Sequence, residues 1–143
     1  MAQNNTGATE GLEKVDALLT KAKTFYLATM DGEQPRCRPI GFHLLSRDRL
    51  YFGVGEFKEV FRQMSEHPQV EICALIPGGF LRYYGTAVFE PDYQLAEEIL
   101  AASSDLQKIY NDTTGYKLGI FHLERGAAEL RGMLDVKETL TFA

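Results

Sequence analysis

The sequence has no tryptophan and only two cysteines, Cys37 and Cys73. Their spacing fits neither a metal-ligand pair nor a redox motif, so a zinc module or a disulfide scaffold has no support. Both fall in predicted strands and are read as buried free thiols in a reducing cytoplasm. No apolar run is long enough to span a bilayer. The opening MAQNNTGATEG lacks an apolar signal core, so a cytoplasmic protein is expected. Basic charge is also scarce: 15 Lys and Arg face 20 Asp and Glu, a net charge of −5. That balance argues against wholesale binding of nucleic acid or anionic membrane, and leaves room only for a local basic pocket. There is no Gly-x-Ser-x-Gly, P-loop or Rossmann fingerprint. No carboxylate pair is spaced for hydrolysis, so no side chain is assigned a catalytic role and no metal ligand is named.

What is present is the material of one globular domain. A chain of 143 residues is long enough to bury a core without staples. Residues 1–8 are expected to be disordered and 9–143 to form the domain. Leu12, Val15, Leu18 and Leu19 make an apolar stripe at helical spacing, with Thr9 as its cap. β-formers and turn signals then predict strands over 24–30, 35–45, 50–54, 70–76 and 80–90, and three short ones over 117–123, 127–132 and 139–142. Asp31-Gly32 and Pro77-Gly78-Gly79 mark turns. Pro39 should put the second strand at an edge, or bulge or break it there; Gly41 fits the same idea, and Gly85 should bend or bulge the fifth. Helices are predicted over 57–67, ended by His67-Pro68, and over 91–102, with 105–110 continuing helically. Strands in a meander with helices at the connections imply a mainly β, α+β protein: a six- to eight-stranded antiparallel split barrel with flanking helices.

The stretch 34–62, QPRCRPIGFHLLSRDRLYFGVGEFKEVFR, carries the candidate site. Arg36 and Arg38 are two apart in a strand and so leave the same face. Two adjacent guanidiniums repel unless an anion lies between them, and their planar forks suit phosphate oxygens. Lys58 near a helix start opposes the helix dipole, a conflict that an anionic ligand would remove. The alternatives are a solvated face paired with Glu33 or other acids, and an exposed lysine paired with Glu59. His43 and His122 in strands are read as satisfied barrel histidines, with a haem ligand or an acid–base group as the alternative.

Three segments, FYLATMDGEQPRCRPIGF, RLYFGVGEFKEVFRQMSEHPQVEICAL and GGFLRYYGTAVFEP, resemble in order the FMN-binding split-barrel proteins related to pyridoxamine 5′-phosphate oxidase. The resemblance is greatest to the small bacterial members grouped with nitroimidazole-resistance and general stress proteins. FHLERGAAELRGM is similar to the family's closing strands. The resemblance implies a homodimer with FMN in clefts between subunits. It implies phosphate ligands at Arg36 or Arg38 and at Lys58. It also implies a flavin ring along Pro39, Ile40 and Gly41, with Phe52, Gly53, Val54 and Gly55 nearby, and a cofactor-side arginine at Arg82. The chain departs from the family in three ways. It lacks the Trp-and-Arg substrate signature of the pyridoxamine phosphate oxidases. It has only Gly53, Val54 and Gly55 where many relatives place a hydroxyl. It has Phe57 where a cation often precedes the lysine. The expected function is therefore that of an FMN-dependent oxidoreductase acting on a small organic substrate and an electron donor, with pyridoxamine phosphate not expected. A non-catalytic flavin-binding or redox-sensing module is the alternative, as is a haem- or deazaflavin-binding split barrel.

Overall fold

The computed structural model describes residues 2–91 and 93–143, with side chains from Thr9 onward. In chain order the elements are α1 (Ala2–Ala22), β1 (Phe25–Asp31), β2 (Gln34–Ile40), β3 (His43–Ser46), β4 (Arg49–Gly55), α2 (Glu59–Glu66), β5 (Gln69–Ile76), β6 (Gly79–Phe89), α3 (Tyr93–Ala102), α4 (Ser104–Ile109), β7 (Leu118–Arg131) and β8 (Val136–Phe142). Thr9 lies inside α1 rather than at its cap. The expected disorder of residues 1–8 falls on side chains outside the described ones.

All pairings among the described strands are antiparallel, in the order β2-β1-β5-β6-β7-β4-β3, with β8 added to β7. β2 and β3 stand at opposite ends of this order, yet only Gly41 and Phe42 separate them in sequence. That connection reaches at most about 11 Å. The sheet must therefore curl until its two edges nearly meet, which gives the split barrel.

Local chemistry sets the turns. Gly32 (φ 61°) opens the two-residue hairpin between β1 and β2. Arg47 and Asp48, both with positive φ, form the tight turn between β3 and β4; Asp tolerates that region better than most residues. The predicted second strand is split at Gly41 and Phe42 into β2 and β3, while Pro39 stays inside β2, paired with Tyr26 on a strand at the end of the sheet order. By contrast, the predicted strands 117–123 and 127–132 are one strand, β7. Arg125 takes positive φ, and the pairing to β6 slips between Tyr84 and Thr86. A bulge absorbs the irregularity and the ladder resumes beyond it.

Alternation along the strands sorts the side chains. Phe25, Leu27, Leu50, Phe52, Ile72, Leu81, Tyr83 and Phe121 fill the barrel. Val15 and Leu19 of α1, both fully buried, pack on them, and α1 lies against β3, β4, β5 and β8. Asp16 Oδ1 and His43 Nδ1, 2.6 Å apart, tie α1 to β3. A second core sits outside the barrel, where Leu95 and Ile99 of α3 cover Tyr51, Leu118 and Ile120. No helix among those described is long and apolar enough to cross a membrane.

Candidate functional site

Arg38 does not point to solvent. It leaves β2 towards the barrel mouth. Its Nη1 donates to the Leu27 carbonyl (3.2 Å) and to Thr29 Oγ1 (2.6 Å), and its Nη2 donates to Gln63 Oε1 (2.8 Å). The Thr29 hydroxyl in turn donates to Gln63 Oε1 at 2.6 Å. Thr29 and Gln63 are both buried, so each bond replaces water that cannot reach them. Burial lowers the Arg38 pKa, but a guanidinium stays charged in proteins. Three of its five N–H groups are used by the protein and two remain.

This network fastens α2 to the β1–β2 hairpin. Gln63 lies about one turn inside α2. One residue earlier, Arg62 bonds Asp31 on the same hairpin at 3.1 Å, and also Glu59 and Glu66. Arg62 holds the Asp31 carboxyl below the usual carboxylate range. Arg36 is exposed and 3.5 Å from Asp31 Oδ2, so its partner is Asp31 rather than Glu33. Lys58 occupies the N-cap position of α2 and makes no side-chain cap. The Phe61 N–H bonds the Lys58 carbonyl at 3.1 Å, which leaves the Glu59 and Val60 N–H groups at the helix start without an intrahelical partner. The Lys58 ammonium lies 5.8 Å from the Phe57 ring centroid.

The other predicted contacts separate into two groups. Pro39, Ile40 and Gly41 stand where β2 stops pairing. A Cβ on Gly41 would meet only the Lys23 carbonyl, at 3.6 Å, so a flat group can approach the backbone there. Phe52 and Val54 are buried in the barrel core. Gly53 packs on Leu118 and Ile120, and Gly55 lies under Phe57 and Tyr110. The structure does not bring 52–55 to an open surface. Arg82 lies on the outer sheet face, in register with Cys73, Tyr26 and Pro39 across neighbouring strands. Three strand spacings separate it from Pro39, about 14 Å. Its Nε is 3.2 Å from Glu71 Oε2 but lacks hydrogen-bond alignment, so the contact is an ion pair.

Cys37 is exposed rather than buried, and Cys73 is half-buried; both are free. Burial raises the Cys73 pKa. His67 closes α2, and its N–H donates to the Gln63 carbonyl. His122 is buried, with Nε2 2.7 Å from Glu124 and Nδ1 without a partner. No three His, Cys, Asp or Glu side chains among the described residues gather as a metal site.

Thr29 and Gln63 are absent from the sequence reading. A signal existed: Thr29 is a polar residue at an inward position of β1, and Gln63 sits on the apolar face of α2 with Val60 and Met64.

This arrangement of strands has known counterparts. A NimC/NimA family protein from Clostridium acetobutylicum superposes with TM-score 0.81 and 27% identity, over 92% of this chain and 94% of that one. A pyridoxamine 5′-phosphate oxidase-related, FMN-binding protein from Nostoc punctiforme gives TM-score 0.54 at 13% identity, over 92% and 94%. A haem-binding protein from Mycobacterium smegmatis gives 0.63 at 18%, over 94% of this chain and 57% of that one. No curated protein matches in sequence. The sequence model of a family described as pyridoxamine 5′-phosphate oxidase matches residues 12–125, most of the chain, from α1 to the middle of β7; the protein belongs to that family.

Proposed function

We propose that this protein is a flavoprotein that holds FMN by its phosphate. The phosphate is received by Arg36, by the two unused N–H groups of Arg38, by Lys58 and by the free N–H groups at the start of α2. The observation that carries this reading is the Arg38–Thr29–Gln63 network together with the Arg62–Asp31 pair. They fasten α2, whose N-terminus has no side-chain cap, to the hairpin whose second strand bears both arginines. Such a donor set, positive and preformed, suits a phosphate dianion. The flavin ring would lie along Pro39, Ile40 and Gly41, where the backbone is accessible. FMN supplies the hydride and electron chemistry when bound; the chain anchors it, orients it and keeps water from one side. The reaction class is oxidation or reduction of a small organic substrate with a separate electron donor, in the cytoplasm.

A second copy of this chain completes the cofactor cleft in this reading. The outer sheet face offers an apolar surface to such a copy. It exposes Tyr26, Leu75 and Val136, and the β7–β8 turn exposes Met133 and Leu134 almost entirely. Apolar surface of that extent favours a covering partner, and Arg82 would then reach the cofactor of the other subunit. Titration with FMN and with riboflavin, followed by a panel of nicotinamide donors with nitro and quinone acceptors, tests the proposal. FMN binding without turnover leaves the redox-sensing alternative. A haem reading rests on His122, whose Nδ1 has no partner; a Soret band lost in His122→Ala would favour it over FMN.

A further inference from the structure

Beyond the flavin anchor, α3 and the loop between α4 and β7 flank an open pocket of about 390 Å³, within the ~300–1,000 Å³ range of small-molecule sites. Its walls are aromatic. Tyr93, Tyr110 and Tyr116 line it. Phe57 stacks on Tyr116, with centroids 3.8 Å apart and planes 15° from parallel. Tyr93, Tyr116 and Phe57 are 69%, 45% and 48% exposed, an unfavourable amount of bare aromatic surface unless a ligand covers it. The loop is preformed rather than slack. Asn111 Oδ1 accepts from the Thr114 N–H (2.9 Å), Thr114 Oγ1 donates to the Ile109 carbonyl (2.6 Å), and Gly115 turns the chain with φ 73°.

The rim shows what kind of ring would enter. Lys117 Nζ lies 5.8 Å from the Tyr93 ring centroid, and Lys58 Nζ lies 5.8 Å from that of Phe57. Lys117 lines the pocket and Lys58 lies outside its lining on Phe57, so cations for an anionic group stand at one end, while Glu97 and Asp112 in the lining place carboxylates elsewhere in the wall. Glu97, Asn111 and Asp112 also line the cavity. Their oxygens accept hydrogen bonds, as an exocyclic amine or a ribose diol would require. A plain hydrocarbon would satisfy none of these groups.

We propose that this cavity is a subsite for an adenine nucleotide, with the base among Tyr93, Tyr110 and Tyr116 and the phosphate between Lys117 and Lys58. The use of Lys58 rests on the FMN reading, because Phe57 and Tyr116 connect that anchor to the cavity; the stacking cavity itself does not depend on it. The nucleotide is either half of a dinucleotide flavin or half of a nicotinamide electron donor.

The test is calorimetric titration of the whole protein, stripped of cofactor and separately loaded with FMN, using AMP, FMN, FAD and NADPH. Tyr116→Ala and Tyr93→Ala are compared with Tyr116→Phe, which keeps the ring. AMP should bind, each alanine variant should lose roughly 5- to 100-fold in AMP affinity, the size of one lost base stack, and Tyr116→Phe should retain it. FMN affinity should be the same in all. FAD binding tighter than FMN, with the excess lost in Tyr116→Ala, assigns the site to a dinucleotide flavin. NADPH binding to FMN-loaded protein with the same loss assigns it to the donor. No AMP binding by a protein that binds FMN overturns the subsite alone, as does AMP binding that both alanine variants retain. Failure to bind either ligand overturns the subsite and the flavin reading together.

Discussion

Arg38 is the residue on which the site depends, because it belongs to both the site and the fold. Gln63→Leu leaves the Arg38 guanidinium and the Thr29 hydroxyl without their shared acceptor. It should destabilise the protein by ~1–3 kcal/mol in urea unfolding, and should weaken FMN more than riboflavin, because the phosphate end is what shifts. Lys58→Ala should separate binding from folding. Lys58 makes no side-chain cap to α2, and its ammonium lies only over the exposed Phe57 ring, so the variant should unfold nearly like the parent while FMN affinity falls by ~1–3 kcal/mol, a lost charge-assisted hydrogen bond; unchanged affinity would place the phosphate elsewhere. The pairing of Arg36 and Arg38 on one face was legible from their spacing. The inward turn of Arg38 was not, since its partners lie on two other elements and only tertiary packing brings them together.

Two carboxylates give the acid side of stability a definite sign. Arg62 holds Asp31 low, and Arg131, with Tyr84, holds Glu129 low. In each case the unfolded chain binds a proton more readily than the folded one. The contribution is therefore present at neutral pH and is lost as pH falls from about 4 through the lower folded values. Asp31→Asn should flatten that part of an acid melting series and leave the neutral end with less stability; an unchanged slope would mean that Arg62 does not hold Asp31 in solution.

At the scale of elements, β7 is the instructive case. The expected strands 117–123 and 127–132 leave Arg125 and Gly126 in a gap between them. These two residues are a bulge, which only the continuing partner β6 makes visible. A Cβ on Gly126 would sit 1.9 Å from the Tyr84 carbonyl oxygen, so Gly126→Ala must force the two strands apart. It should cost at least about 2 kcal/mol, seen as a lowered melting temperature; a neutral substitution would contradict the bulge. The helix stripe of α1, the hairpin glycines and the interruption at Gly41 were all readable, since each is a local constraint. The register that sets Arg82 in line with Pro39 was not, because it follows from the order of strands distant in sequence.

For the whole molecule, curling follows from topology, and the outer sheet face offers an apolar surface. Light scattering should give the mass of a dimer. Leu75→Arg, at a residue 81% exposed, should shift the protein towards monomer and lower its FMN affinity if the cleft is shared. A monomeric parent would remove the partner from the account. The resemblance to flavin-binding split barrels was visible in sequence because ordered short segments survive divergence; which residues face the cofactor depends on the fold.

The most direct measurement is the visible spectrum of the purified protein after FMN addition and gel filtration, repeated with riboflavin. Flavin bands should travel with the protein when FMN is used and be lost with riboflavin, which lacks the phosphate. A colourless protein after FMN, or equal retention of both flavins, would contradict a phosphate-held FMN.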